Sequence, residues 1–169
     1  MTERTLILLR HAQSVRADAG LSDFDRPLAE PGVRDGRQFG AGLAAQLPVP
    51  DRVLCSTARR ARDTLALLPG ELVDPDRVVY RDSLYHADAL RLLGAIRSVD
   101  DGVRTLMLVG HNPGLTELLD MLVAPGTPAL DHLPTFGVAT FGVAAPFPEI
   151  DPGSTQLTRL LRPQDDAAS

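Results

Sequence analysis

None of the 169 residues is a lysine; all 17 basic side chains are arginine. A phosphate loop of the G-x-x-x-x-G-K-[ST] kind is therefore excluded, because its lysine is the group that reaches the β- and γ-phosphates. Schiff-base chemistry on a lysine amine is excluded with it. Cysteine is nearly as scarce. Cys55 stands alone, so no disulfide can form within the chain, which fits a reducing compartment. No stretch approaches the ~20 apolar residues of a membrane span. The apolar run at 6–9 is too short for the core of a signal peptide and leads straight into Arg10 and His11. A net charge of -5 leaves no basic footprint for nucleic acid or an anionic membrane surface. The expectation is a cytoplasmic protein with neither as a partner. His11, His86, His111 and His132 show no zinc spacing and a single cysteine offers no cluster, so neither metal nor other cofactor is expected.

What is present is an ordinary globular composition, 44% hydrophobic and 23% charged. The length fits one domain, expected over 1–162, followed by a disordered tail at 163–169. Continuous apolar runs mark buried strands at 5–9 (TLILL) and 105–109 (TLMLV), with shorter ones at 52–55 and 77–80. Helices are expected at 30–46, 58–68, 88–99 and 114–123, the second capped by Ser56 or Thr57. Residues 15–29 and 124–134 read as loops, and two late strands fall within 136–143 and 155–162. Strands alternating with helices predict an α/β fold, a three-layer sandwich whose mainly parallel central sheet is flanked by helices.

In such sheets, sites gather beyond the carboxyl ends of the strands. Two predicted strands end in histidine-bearing turns, LILL-Arg10-His11 and LMLV-Gly110-His111, and a third runs into Cys55-Ser56 and an arginine-rich helix. An arginine beside a histidine can hold a phosphoryl group against the imidazole through its guanidinium fork. It also disfavours protonation of that imidazole, and a nucleophile must be neutral. In Gly110-His111-Asn112-Pro113-Gly114, Asn112 reads as an N-cap and Pro113 as the first helical residue, which would put His111 beside a helix N-terminus. Arg59, Arg60 and Arg62 crowd a helix start, where cations are unfavourable unless an anion compensates them.

The segments LLRHAQS (8–14), DFDRPLAEPG (23–32), CSTARRARDTL (55–65), SLYHA (83–87) and LVGHNPGL (108–115) together resemble the histidine phosphatase superfamily, and most closely its small phosphohistidine phosphatase (SixA-like) branch. The resemblance implies a phosphoglycerate mutase-like fold and a metal-independent phosphatase. In it His11 is the nucleophile that becomes phosphohistidine, Arg10 and Arg60 bind the phosphoryl group, and His111 completes the pocket. By position Asp82 is the nearest counterpart of the family's acid, with Asp18, Asp25 and His86 as alternatives. Ser14 and Arg26 are expected substrate contacts. The long inserted cap of the sugar-handling relatives is missing, which implies an open site. The expected substrate is a phosphohistidine protein or a small phosphorylated metabolite. A sugar or nucleotide phosphomonoesterase is the competing enzyme, and a non-catalytic phosphate-binding module is the competing class. A mutase fits less well, because it needs a closed site that excludes water.

Overall fold

A computed structural model describes residues 3–17 and 20–163. Six strands form one sheet: β1 (Arg4–Arg10), β2 (Arg52–Ser56), β3 (Val78–Arg81), β4 (Thr105–Gly110), β5 (Val138–Val143) and β6 (Gln156–Leu161). Their order is β3-β2-β4-β1-β5-β6. β3, β2, β4 and β1 run parallel, and β5 and β6 complete the sheet antiparallel. Four helices link them: α1 (Glu30–Leu43), α2 (Arg59–Ala66), α3 (Ala89–Arg97) and α4 (Gly114–Leu122). None is long and apolar enough to cross a membrane.

The continuous apolar runs of β1 and β4 follow from cover on both faces of the sheet. Side chains alternate along a strand. Leu6, Leu8, Leu106 and Leu108 face one core layer with residues of α3 and α4, while Ile7, Leu9, Met107 and Val109 face the other with residues of α1 and α2. Cys55 belongs to the second layer, where burial pushes its thiol up to about 12 and leaves it inert. The expected sandwich and its mainly parallel sheet are both observed, and of the expected tail at 163–169 all but Pro163 lies outside the described residues.

Two expected caps are not formed. α2 begins at Arg59 after Ala58, with no side-chain cap, because Ser56 is the last residue of β2 and its Oγ accepts only from the Ala58 N–H (3.3 Å). α4 begins at Gly114, and Pro113 rather than Asn112 holds the cap position, across a cis Asn112–Pro113 bond. The Asn112 side chain instead donates to the Leu133 carbonyl (2.8 Å) and accepts from the Thr116 hydroxyl (3.0 Å), so it fastens the long loop before β5. Two glycines allow the close approaches that shape the site. A methyl group at Gly32 would strike the Gln13 carbonyl, two residues past His11, and one at Gly114 would strike the Ala87 carbonyl, one residue past His86.

Candidate active site

The carboxyl ends of β1, β2 and β4 meet on one side of the sheet. Arg10 is the last residue of β1, Ser56 of β2 and Gly110 of β4. The imidazoles of His11 and His111 follow β1 and β4 and pack 5.3 Å apart, 8% and 4% exposed. The turn of His11 is anchored to α2. The Ala12 N–H donates to the Thr64 hydroxyl (2.8 Å), which donates to the Arg60 carbonyl (2.7 Å).

Partners assign the tautomers of both rings. His11 Nδ1 lies 2.7 Å from the Ala12 carbonyl, which only accepts, so Nδ1 carries the hydrogen and Nε2 keeps its lone pair. His111 Nε2 lies 2.7 Å from Ser56 Oγ. That oxygen accepts from the Ala58 N–H, and its own hydrogen has no other acceptor among the described residues, so the hydroxyl donates to His111 Nε2 and the ring hydrogen sits on Nδ1. Among the described residues His111 Nδ1 is buried without a hydrogen-bond partner, as are Nε of Arg10 and Nε of Arg60. Buried donors of this kind are costly unless a ligand satisfies them.

Both rings are held neutral. His11 is lowered to about 4, first by burial, which outweighs the opposing hydrogen bond to the Ala12 carbonyl, and then by Arg60, Arg10 and Arg26. His111 is lowered to about 3 by burial, with His11 and Arg60 adding to it. The arginine beside it was expected to disfavour protonation of His11. Burial is the larger cause, and Arg60 outranks Arg10.

Of the three arginines at the start of α2, only Arg60 turns inward, 2% exposed, while Arg59 pairs with Asp63 in solvent and Arg62 is exposed. Successive residues on a helix turn by about 100°, which separates the three. Arg60 donates through Nη1 to the Asp23 carbonyl (2.7 Å) and through Nη2 to Asp23 Oδ2 (3.1 Å). Its guanidinium carbon lies 5.7 Å from the Tyr85 ring centre. Arg10 donates through Nη1 to the Leu133 carbonyl (3.0 Å).

Asp23 was not among the expected site residues, yet it joins the mouth of the pocket together. Its carboxylate accepts from the Tyr85 hydroxyl, from His86 Nε2 (2.8 Å), from Arg26 (2.6 and 3.1 Å) and from Arg60. The Tyr85 hydrogen bond, followed by those of His86 and Arg26, holds the carboxyl well below the usual carboxylate range. Tyr85 and Ser56 were missed as well. Asp23, Tyr85 and Ser56 all stand inside quoted segments, but their partners lie up to 63 residues away in sequence.

The other expected residues are placed as follows. Arg26 Nη1 donates to Ser14 Oγ (3.0 Å), so these two brace the loop after β1. Asp82 is exposed and accepts from the Thr57 hydroxyl (2.6 Å), and among the described residues it makes no hydrogen bond to Arg10, His11, Arg60 or His111. Asp25 accepts from Ser22 (2.7 Å) and is exposed. Asp18 lies outside the described residues. His86 faces the mouth, half-exposed, its ring stacked 5.8 Å from that of His111. No group of three or more His, Cys, Asp or Glu that could hold a metal ion occurs among the described residues.

The histidine phosphatase superfamily (branch 1) family model matches residues 6–92. An uncharacterized protein of Mycobacterium tuberculosis is 40% identical over 163 residues, covering 92% of this chain and all of that one. The structure of a candidate phosphohistidine phosphatase SixA from Nakamurella multipartitia superposes with a TM-score of 0.85 at 29% identity, over 96% of this chain and 98% of the other. A second such candidate, from Agrobacterium tumefaciens, gives 0.78 at 30% identity over 94% and 98%. The RHA and GHNP turns meeting over one pocket, together with these matches, establish that this chain belongs to the histidine phosphatase superfamily, in its SixA-like branch.

Proposed function

We propose that the chain hydrolyses phosphohistidine on proteins in the cytoplasm, through a phosphohistidine of its own on His11 and without a divalent metal. One observation carries the reading: a buried neutral imidazole with a free Nε2 lone pair packs against a second imidazole whose Nδ1 hydrogen, like Nε of Arg10 and Nε of Arg60, has no protein partner. A phosphoryl group would give these three donors the acceptors they lack. Phosphoryl transfer is mostly positioning and charge stabilisation, which the guanidinium groups and His111 would supply. His11 Nε2 attacks phosphorus, the leaving group departs, and water then hydrolyses the N–P bond, which divides one difficult step into two.

Support for a protein substrate comes from the mouth. An open groove of about 550 Å³, lined by Phe24, Thr57, Arg62 and Tyr80, adjoins it. Phe24 packs edge-on against Tyr85, and Thr57 follows Ser56, so chain flanking a phosphohistidine would have room there. The SixA candidates similar to this chain support the same substrate class.

The test is to incubate a 32P-phosphohistidine protein with wild type and with His11→Ala. An acid-labile, base-stable phosphoenzyme is expected in the wild type only. Turnover is expected to survive dialysis against EDTA. A His11→Ala variant with full activity would refute the mechanism.

A further inference from the structure

We propose that His86 is the proton donor to the leaving group, with its ring held in place by Asp23. The proposal rests on the phosphatase reading above and extends it to a second substrate class, phosphate esters whose leaving alcohol is a poor one.

The first observation is the backbone. Among the described residues, only two non-glycine residues have positive φ: Phe136 at 55° and His86 at 53°. Such conformations cost of order 1–3 kcal/mol and persist where the surroundings impose them. Phe136 is accounted for by its ring, which is buried edge-on against Phe39. The His86 side chain is 54% exposed, so core packing does not explain its conformation. That backbone sits beside the Gly114 contact, and it turns the ring towards the pocket.

The second observation is what the ring meets there. Nε2 lies 2.8 Å from Asp23 Oδ2, and an ionised carboxylate only accepts, so Nε2 carries a hydrogen. Nδ1 is left as the atom that gives and takes a proton. The ring stacks on His111 and packs 4.1 Å from that of Tyr85. His11 touches His111 as well, but among the described residues no ring contact joins His11 to His86. A phosphoryl group held by His111 Nδ1 is therefore within reach of a nucleophile on one ring and a donor on another.

The third observation is elimination among the described residues. His11 and His111 are buried and neutral, so neither has a proton to spare. Asp23 is locked by its own donors, Asp82 is bound to Thr57 and Asp25 to Ser22. His86 combines contact with the pocket, a carboxylate partner and access to solvent.

The steps balance. His11 Nε2 attacks phosphorus, and the bond from phosphorus to the leaving oxygen breaks. That oxygen takes the Nδ1 proton of the His86 imidazolium and leaves as an alcohol. In the second step, water loses a proton to neutral His86 Nδ1 as its oxygen bonds to phosphorus. The P–N bond breaks, returning neutral His11, phosphate and the His86 imidazolium. A phosphohistidine substrate brings a ring proton of its own and depends less on the donor.

His86→Asn tests this. Asparagine tolerates positive φ, and its amide takes the place of Nδ1 with no proton to transfer, while the Nε2 contact to Asp23 is given up. Rates of 4-nitrophenyl, phenyl and ethyl phosphate would be compared with phosphohistidine, alongside melting curves of both proteins. General acids contribute about 10²–10⁴-fold. The expected result is that the loss on ethyl phosphate exceeds that on 4-nitrophenyl phosphate by at least ~30-fold. Equal losses across the series would overturn the proposal while leaving the phosphatase reading intact. If His86→Asn fails to fold, His86→Gly keeps the backbone geometry, and added imidazole should restore ethyl phosphate turnover; no restoration would also overturn it. A wild type that turns over 4-nitrophenyl phosphate without labelling His11 would refute the phosphatase reading itself.

Discussion

Ser56 Oγ stands 2.7 Å from His111 Nε2, and this hydroxyl decides which nitrogen of His111 faces an incoming phosphoryl group. Removing it as Ser56→Ala frees the ring to carry its hydrogen on either nitrogen and leaves a buried acceptor unpaired. Such a loss costs about 1–3 kcal/mol. Urea unfolding should show a drop in that range, and kcat/KM should fall about 10-fold or more. Unchanged kinetics would mean that His111 does not use Nδ1 on the phosphoryl group.

Arg60, Arg59 and Arg62 differ in burial within one helical turn, and their variants should differ accordingly. Charge-assisted contacts are worth about 1.5–3 kcal/mol. Arg60→Ala should therefore lower kcat/KM by at least ~10-fold, while Arg59→Ala and Arg62→Ala should stay within about 3-fold on 4-nitrophenyl phosphate. Equal losses at all three would point to a diffuse basic surface.

The neutral rings make both activity and stability depend on acid. His11 is lowered from 6.5 to about 4 in the folded chain. As pH falls below 6.5 the unfolded chain takes up this proton while the folded one does not, so stability rises with pH between about 4 and 6.5 and is full above that window. His111, lowered to about 3, acts in the same direction. Urea midpoints should fall between pH 7 and pH 5, and His11→Gln should flatten that slope. The acidic limb of kcat/KM should lie near pH 4 instead of 6.5.

Much of this was legible in the sequence because the signals are local. The runs before Arg10 and before Gly110 announced two buried parallel strands, and the histidines after them announced a shared sheet end. Ser56 and Asn112 were misjudged as caps for a common reason: each has good capping chemistry, but a tertiary partner, His111 for one and Leu133 with Thr116 for the other, takes the side chain. Asp23 was harder to see. Its partners Arg60, Tyr85 and His86 arrive from other elements, and nothing in DFDRP distinguishes it from Asp25 until the chain has folded.

The pocket is assembled from residues 10–11, 23–26, 56–60, 85–86 and 111, and the carbonyl of Leu133 tethers one of its arginines. No continuous fragment contains enough of it to hold an anion. Occupancy therefore reports on completion of the whole sheet, and a bound oxyanion stabilises the chain by RT ln(1 + [L]/Kd) only through global opening. Under saturating vanadate, amide exchange in β1, β2 and β4 should slow by one common factor, while frayed surface turns exchange as before.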